Sequence, residues 1–479
     1  MAPALTGLGR VFINSKGPGN KYLYHSCMKI DGIDKSLGDV TPIYCPDPIE
    51  YDKFIEVATV KGADGRATST LTAYLPINTI SPLEEIYNQG CSFDLQVHYG
   101  TCTKPDAFNE FESAIILTDV RFTSYGLSTL TARTPDERAV VDETAAISIG
   151  NFYRILPIKE TRLPVIFLPT NAYSFGIVNV SSKSCGDNCD TRSTGCDTWV
   201  TGVINASDTV SFVYTTDGGV TWTPVSAAAS TLHNGEVRSA NMVVHGGYIY
   251  FTTTAGTTAS FYRTSIDSIL NGASDTVKIM PDATTTFIYE MKASENYVWY
   301  AGQRASTTST VRAFDPSLGT FQQFTGDTQT FRALDALDDD HVLVGGLSGT
   351  LYYSTSYGVF TEITTPFPTA TVTGVKMFSA NRWLVATSNG TYLTTNAGST
   401  FNLVSASTNW ARLSFYDDNT GYLNSTTGTS RTLDGGNTWS KISSLTTYST
   451  NDLQVCEYNP NVYFVVGGDP TGFISKGSP

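Results

Sequence analysis

The sequence predicts an all-β protein made of two domains, and three observations carry that prediction. Most of the 479 residues alternate apolar with small polar side chains, the pattern of strands with one solvated face. Tyr and Phe are plentiful, at 26 and 24, whereas charged residues make up only 15% of the chain. The stretch TTDGGVTW at 215–222 recurs as TLDGGNTW at 432–439, so part of the chain is a repeat.

The first region, residues 1–162, is predicted to be an antiparallel β-barrel or sandwich with one short helix. Alternation and β-branched residues indicate strands in segments such as KFIEVATVKG, SFDLQVHYGTC and TAAISIGNFYRILPI. The helix is predicted in SPLEEIYNQG, where Ser81 and Glu84 form a capping box. Pro82 takes the first helical position and Gly90 the position just past the last turn.

The second region, residues 163–479, is predicted to be a seven-bladed β-propeller. From about residue 199, a module of strand, tight turn, strand and glycine-containing turn recurs every 38 to 50 residues. A further strand on each side of the module gives four strands per blade, as in a propeller. The last copy ends after its third strand, so LPVIFLP at 163–169 is expected to supply the fourth strand and close the ring.

Three turns of the repeat follow one pattern, in which an Asp or Asn precedes a glycine and a large aromatic residue. The Asp or Asn side chain can accept hydrogen bonds from its own turn, and the glycine permits positive φ. The aromatic ring can pack between neighbouring blades. The pattern resembles the Asp-box, or BNR repeat, which implies outer turns with a structural role. The predicted box residues are Asp217, Gly219 and Trp222, then Asn396, Gly398 and Phe401, and finally Asp434, Gly436 and Trp439.

The order of elements over residues 8–160 resembles the major tail tube protein of long-tailed, siphovirus-like bacteriophages. An opening strand is followed by an arm, YCPDPIEYDKF, a strand ending in VKGADGRATSTLT, the helix, and GCSFDLQVHYG. A hairpin over about 111–133 and the segment VVDETAAISIGNFYRI complete the order. The resemblance implies a structural virion protein whose hexameric rings stack into a DNA-conducting tail tube. The propeller would then be displayed on the outside.

This resemblance also implies the partners and the location of the protein. The partners would be further copies of the chain, other tail proteins, and genomic DNA that passes through the lumen without sequence-specific binding. Cell-surface glycans are a further hypothesis, because the repeats are rich in Ser, Thr and Tyr. The expected location is the virion tail, after synthesis in the host cytoplasm.

Charge and hydropathy exclude several other classes of function. The formal net charge is −14 and no run of Lys or Arg occurs, which argues against tight binding to a nucleic-acid backbone. The N-terminal MAPALTGLGRVFINSKG predicts no secretory signal. No stretch approaches the roughly 18 apolar residues of a membrane helix, so no membrane insertion is expected.

No catalytic constellation and no cofactor site are predicted, and the chain is not expected to be an enzyme. A sialidase-like glycosidase is one alternative, because Asp-boxes occur in that family, which needs an arginine triad and a Tyr–Glu pair. YRILP at 153–157 resembles its Arg-Ile-Pro motif but carries an extra Leu and lies in the first domain. A monomeric Asp-box module for binding or assembly is another alternative.

Two features, a cysteine-rich stretch and an acidic stretch, contain metal-ligating residue types, and no metal is predicted at either. Cys185, Cys189 and Cys196 lie close together without a nearby His, so a metal loop, a local disulfide and free thiols all stay open. Without a signal peptide, the eight cysteines are expected to be mainly reduced and buried. The acidic run DALDDDH, Asp335 to His341, is expected to be a solvated turn rather than a Ca²⁺ site.

Overall fold

The structure is a computed structural model. It describes residues 10–14, 23–25, 28–30, 33, 40–46, 54–61, 66–76, 82–90, 92–99, 113–127, 140–163, 173–180, 195–204, 210–225, 242–255, 258–282, 285–304, 309–325, 330–406, 412–443, 450–467 and 473–479. The chain divides into two units, Met1–Pro157 and Ile158–Pro479. The division therefore falls between residues 157 and 158 rather than between 162 and 163. None of the helices in these ranges is long and apolar enough to cross a membrane.

The described residues of the first unit form a seven-stranded antiparallel sheet, a two-stranded sheet and one helix. Its elements are β1 (Arg10–Asn14), β2 (Leu23–His25), β3 (Met28–Ile30), β4 (Val40–Pro46), β5 (Phe54–Lys61), β6 (Ala67–Pro76), α1 (Pro82–Gln89), β7 (Phe93–Tyr99), β8 (Ser113–Leu127) and β9 (Val140–Ile155). The strand order is β2-β1-β7-β8-β9-β6-β3, and β4 and β5 form a separate two-stranded sheet. Among the described strands, β2 and β3 are the two edges and do not pair with each other.

Helix α1 lies in the segment where it was predicted, and a glycine terminates it. Gly90 has a φ of +67° and its N–H donates to the carbonyl of Ile86 at 3.1 Å. Leu83 and Ile86 face the sheet and join its core, because they share one side of the helix. Ser81, the predicted cap, lies outside the described residues.

The hairpin predicted over 111–133 is wrong. Residues 113–127 form the single long strand β8, whose partner along most of its length is β9. A bulge near Asp119 interrupts the pairing of β8 and shifts the alternation of apolar and polar residues between its two halves. In the sequence, each half therefore resembles a separate short strand.

The second unit contains seven four-stranded antiparallel sheets among the described residues. Sheet 1 has β11 (Tyr173–Asn179), β12 (Trp199–Ile204), β13 (Val210–Thr215) and β14 (Thr223–Pro224). Sheet 2 has β15 (Met242–His245), β16 (Tyr248–Ala255), β17 (Thr258–Ser265) and β18 (Val277–Asp282), with helix α2 (Ile266–Leu270) after β17. Sheet 3 has β19 (Thr285–Ala293), β20 (Val298–Arg304), β21 (Ser309–Asp315) and β22 (Thr320–Thr325).

The remaining sheets repeat this order. Sheet 4 has β23 (Phe331–Ala336), β24 (His341–Gly346), β25 (Leu351–Thr355) and β26 (Phe360–Glu362), with a 3-10 turn at Leu347–Gly349. Sheet 5 has β27 (Val372–Met377), β28 (Trp383–Thr387), β29 (Gly390–Thr394) and β30 (Asn402–Ser405). Sheet 6 has β31 (Arg412–Phe415), β32 (Gly421–Ser425), β33 (Gly428–Thr432) and β34 (Ser440–Lys441). Sheet 7 has β35 (Thr450–Cys456), β36 (Asn459–Gly467) and β37 (Phe473–Ser478), joined by β10 (Lys159–Arg162).

The seven sheets are arranged in a cycle. The first strand of each sheet contacts the first strand of the next, and β35 of sheet 7 contacts β11 of sheet 1. A separate apolar cluster lies between neighbouring sheets, as between sheets 4 and 5, where Tyr353 packs on Trp383. A cycle of four-stranded antiparallel sheets packed face to face is a β-propeller arrangement.

The strand that closes the ring precedes the segment 163–169 that was predicted for this role. Sheet 7 takes β10 as its fourth strand, in register from Lys159 opposite Ser478 to Arg162 opposite Ser475. The assignment of this strand to 163–169 is therefore wrong, although Leu163 still donates its N–H to the carbonyl of Ile474 at 2.8 Å. Residues 164–169 lie outside the described ranges. KETR is polar because β10 is an outer strand, which made it less conspicuous than LPVIFLP.

Candidate functional site

Each Asp-box is a turn between the third and fourth strands of its sheet, closed by its own side chains. In sheet 1 the hydroxyl of Thr215 donates to Asp217 Oδ1 at 2.7 Å and accepts the N–H of Gly219 at 2.9 Å. The carboxylate of Asp217 accepts the Thr221 N–H at 2.9 Å and the Thr221 hydroxyl at 2.6 Å. Through these bonds, the side chains at the Thr and Asp positions of the pattern cap backbone N–H groups of the turn.

The other two boxes repeat this geometry. In sheet 6, Thr438 donates its N–H to Asp434 Oδ1 at 2.8 Å and its hydroxyl to Oδ2 at 2.7 Å. In sheet 5, Asn396 Oδ1 accepts the Thr400 N–H at 2.9 Å, while Asn396 Nδ2 donates to the Thr400 hydroxyl at 2.9 Å. The box glycines all have positive φ: +88° at Gly219, +81° at Gly398 and +90° at Gly436.

The box aromatic residues pack against apolar groups of the neighbouring sheets. Trp222 lies edge-on to Phe464 of sheet 7, with 6.0 Å between ring centroids. Phe401 contacts Phe367, which precedes sheet 5, at 5.6 Å. Trp439 joins an apolar cluster with Ala386 of sheet 5. The nine box residues thus fix turns and connect sheets.

The first strands of the sheets carry an ion network that the sequence analysis missed. Arg412 of β31 lies across the ring from β19, and its Nη1 is 3.0 Å from Glu290 Oε2. Lys292 Nζ is 3.5 Å from the other oxygen of Glu290. Between sheets 4 and 5, Lys376 Nζ is 3.2 Å from Asp335 Oδ2. One or two charges inside a mainly apolar strand, as in FIYEMKA or VTGVKM, were the signal available in the sequence.

Burial sets the direction of the pKa shift for the two carboxyl groups of this network but not for its lysine. Burial raises the pKa of Glu290 to about 7, although Lys292 and Arg412 oppose the shift. Burial also raises the pKa of Asp452, whose Oδ2 accepts the N–H of Ile177 in sheet 1 at 3.1 Å. Burial lowers the pKa of Lys292, but the neighbouring carboxylates outweigh it and the net shift is upward. Paired charges of this kind fix the relative positions of strands, whereas their net effect on stability is small.

The network and the position of YRILP bear on the glycosidase alternative. Arg154 belongs to β9 of the first unit, where it pairs with Ile115 of β8. At the centre of the ring, Arg412 is engaged by Glu290 and by the carbonyl of Thr373 at 3.3 Å. Nη1 of Arg412 thus bonds a carboxylate and a backbone carbonyl of the protein itself.

The cysteine expectations need correction. Cys196 forms a disulfide with Cys456, across 260 residues, with 5.6 Å between their Cα atoms. These two thiols are therefore not reduced, and Cys196 is not free for a metal loop or a local disulfide. Cys185 and Cys189 lie outside the described residues. Spacing in the sequence could not reveal this pair, because only ring closure brings β12 and β35 together.

The acidic run DALDDDH forms a turn whose carboxylates point to different partners. Asp338 accepts the N–H of His341 at 2.7 Å, and Asp340 accepts the N–H of Tyr357 at 2.7 Å. Asp339 accepts the side-chain amide of Asn296 at 2.7 Å. No cluster of three metal-ligating side chains occurs in the part of the chain that the structure describes.

The first unit carries an open cavity beside a strained residue. The cavity has a volume of about 410 Å³ and is lined by Tyr87, Gly90, Ser92, Arg121 and Phe122. Asp119, two residues before Arg121, has a φ of +50° at the bulge of β8. Arg66 holds its carboxylate at 2.8 Å, and a side chain at Gly150 would collide with it.

Large apolar side chains of the first unit are also exposed to solvent. Tyr87 is 44% exposed, Leu127 53% and Phe152 37%. Together with β2 and β3, the edge strands of the sheet that the structure describes, they give this unit several surfaces on which another chain could pack.

The cyclic sheets and their box turns define the second unit as a β-propeller, and solved β-propellers resemble it. YCF48 from Cyanidioschyzon merolae is 16% identical, with a TM-score of 0.46 over 67% of this chain and 98% of that one. A catalytically inactive virginiamycin B lyase from Staphylococcus aureus is 10% identical, with a TM-score of 0.49 over 67% and 99%. The WD40 β-propeller domain of Doa1 is 8% identical, with a TM-score of 0.48 over 66% and 95%. No protein-family model and no curated protein matches the chain.

Proposed function

We propose that the chain is a structural virion protein whose first unit assembles with copies of itself into the stacked rings of a tail tube. The second unit is, in this proposal, a seven-bladed propeller displayed on the outside of the tube. Its activity is assembly rather than catalysis, and DNA passes through the lumen without base-specific contacts.

The observation that carries this proposal is the architecture of the first unit. A seven-stranded antiparallel sheet has one helix between β6 and β7, and the hairpin β4–β5 stands outside it. This order supports the proposal, because the arm YCPDPIEYDKF begins in β4 and ends in β5, and the helix precedes β7, as the resemblance implies. The hairpin expected over 111–133 departs from that order, since the single strand β8 takes its place. Neighbouring subunits would pair the open edges β2 and β3 and so complete a barrel-like wall.

Electron microscopy and light scattering of the purified chain test the proposal. Rings, or tubes with regularly spaced knobs, are the expected result, because the sheet edges and exposed apolar residues should be covered in the assembly. A uniform particle near the monomer mass of 51.7 kDa, also under assembly-promoting conditions, would contradict it and favour a monomeric binding module.

A matched pair of variants locates the interface. Leu127→Asp places a charge on an exposed apolar residue of the first unit, and Val277→Asp does the same in sheet 2, where Val277 is 52% exposed. We expect Leu127→Asp to dissociate the oligomer and Val277→Asp to leave it intact. If Val277→Asp alone dissociates it, the propeller mediates assembly and the proposed role of the first unit is wrong.

A further inference from the structure

The seam between sheets 7 and 1 is built differently from every other junction in the ring. Strands β37 and β10 of sheet 7 come from opposite ends of the second unit, so no turn joins the third strand to the fourth. An Asp-box needs such a turn, and sheet 7 therefore has no place for one. The seam must be held by contacts between residues far apart in the sequence.

Polar contacts cross this seam. Asn451 Nδ2 donates to the carbonyl of Ser174 at 2.7 Å. Lys476 Nζ donates to the carbonyl of Gly218, inside the sheet 1 box, at 2.6 Å. The Cys196–Cys456 disulfide crosses the same seam and turns a noncovalent closure into a covalent one.

We propose that Cys196 and Cys456 are a redox modification site, a clasp that forms after the ring has closed and then locks the seam. The thiols are 260 residues apart, so folding of sheets 1 to 7 must bring them together before they can react. Formation of the S–S bond removes two electrons and two protons from the two thiols. A small-molecule disulfide such as oxidised glutathione accepts them and is released as two thiols, through a mixed disulfide.

The surroundings assign different roles to the two sulfurs. Cys456 is fully buried, and its Sγ accepts the N–H of Tyr458 at 3.4 Å. Cys196 is partly buried and packs with Trp222 at the edge of an apolar cluster that contains Trp199. Cys196 is therefore the sulfur that an external disulfide reaches first, and Cys456 resolves the mixed disulfide from inside. This clasp does not depend on whether the chain forms a tube.

Reduction of the folded full-length chain tests the clasp. We expect a reducing phosphine to lower the thermal midpoint of the oxidised protein by about 5 °C, because the cross-link closes a very long loop. Amide hydrogen exchange should rise about tenfold in β11 and β35, and remain unchanged in β23 and β27 on the far side of the ring. The local change separates a seam lock from a general loss of stability.

The double variant Cys196→Ser/Cys456→Ser is the matched control. It should show the lower midpoint from the start and no response to the phosphine. The proposal is overturned if alkylation and mass spectrometry find both thiols free after treatment with oxidised glutathione. It is also overturned if reduction changes neither the midpoint nor the exchange at the seam. The wild-type reduction decides the matter even if the double variant fails to fold.

Discussion

The boxes at 215–222 and 432–439 have nearly the same sequence but lie in different surroundings. Both make the same internal hydrogen bonds, and both attach to the preceding turn of their own sheet: Gly218 to Asp197 and Gly435 to Asn419, each at 2.8 Å. Asp217, however, is exposed, whereas Asp434 is only 3% exposed. The local sequence thus determines the shape of the turn, and the neighbouring sheet determines its electrostatics.

The box of sheet 5 shows how much of the pattern the turn requires. Ala397 stands where the other two boxes have Gly218 and Gly435, and it adopts a φ of +52°. Asn396 replaces the carboxylate and keeps the hydrogen bond from the Thr400 N–H. A methyl group and a neutral side chain are therefore compatible with the turn itself, so differences between boxes arise from what surrounds them.

The largest difference is expected from adding one methyl group at equivalent glycines. A Cβ at Gly435 would collide with the guanidinium of Arg382 and the carbonyl of Asp418, whereas a Cβ at Gly218 would meet nothing closer than 3.4 Å. Gly435→Ala should lower the free energy of unfolding by about 4 kcal/mol and Gly218→Ala by about 1 kcal/mol. Urea denaturation of both variants measures this, and equal losses would mean that the neighbouring sheet does not constrain the second box.

A smaller difference is expected from removal of the carboxylate. In Asp434→Ala the N–H and hydroxyl of Thr438 lose their acceptor in a buried turn, at a cost of about 3 kcal/mol. In Asp217→Ala the same groups of Thr221 can turn to water, and the loss should be about 1 kcal/mol. Chemical denaturation compares the two, with Asn396→Ala in sheet 5 as a reference for a neutral box. A larger loss for Asp217→Ala would refute the assignment of burial as the cause.

A still smaller loss of stability is expected when the cationic side chain that the preceding sheet contributes to each box is removed. Arg382 Nη2 donates to the carbonyl of Gly435 and stacks 4.0 Å from the ring of Phe378. Lys476 makes the equivalent bond to Gly218 in sheet 1. Arg382→Met should cost about 2 kcal/mol and Lys476→Met about 1 kcal/mol, because Arg382 also stacks closely on Phe378, whereas Lys476 lies 5.9 Å from the ring of Phe464. Thermal unfolding under oxidising conditions isolates the Lys476 effect from that of the disulfide.

Local signals in the sequence were sufficient for the repeat, the box turns and helix α1. Each depends on residues a few positions apart, such as Thr432, Asp434 and Gly436. Their side-chain hydrogen bonds and backbone freedom determine the turn without contacts from other parts of the chain. The box pattern is lost in sheet 2, where helix α2 follows β17 and the hydroxyl of Ser265 caps it at 3.1 Å. Asp267, the acidic residue that follows β17, therefore lies in a helix rather than in a box turn.

Features that depend on ring closure could not be read from the sequence. The charges of Glu290 and Arg412 are 122 residues apart, and β10 joins β37 from the opposite end of the unit. LPVIFLP looked more strand-like than KETR because hydropathy favours buried strands, whereas the outermost strand of sheet 7 is mainly exposed. The Cys196–Cys456 pair was missed for the same reason, since proximity in a closed ring leaves no local pattern.

The smallest expected effect is the pH dependence of the stability that each box contributes. Its sign should differ between the two boxes. Burial opposes ionisation of Asp217, but the hydrogen bonds from Thr221 and Thr215 outweigh it and lower its pKa to about 2. Because this folded pKa lies below the unfolded value near 3.9, the stabilisation is complete above pH 4 and is lost between pH 4 and 2. Burial raises the pKa of Asp434, so protonation there favours the folded state and its contribution to stability increases as pH falls.

Asp217→Asn and Asp434→Asn remove these titrations one at a time. The stability gap between wild type and Asp217→Asn should shrink below pH 4, because the wild type loses its advantage as the carboxylate protonates. The stability of the wild type should rise relative to Asp434→Asn at higher pH, as pH falls toward the unfolded value near 3.9, because the raised pKa of Asp434 lets it protonate in the folded state first. Urea unfolding at pH 7, 5, 3.5 and 2.5 gives both gaps. If the two gaps change in the same direction, the difference between the boxes does not come from burial of one carboxylate and exposure of the other.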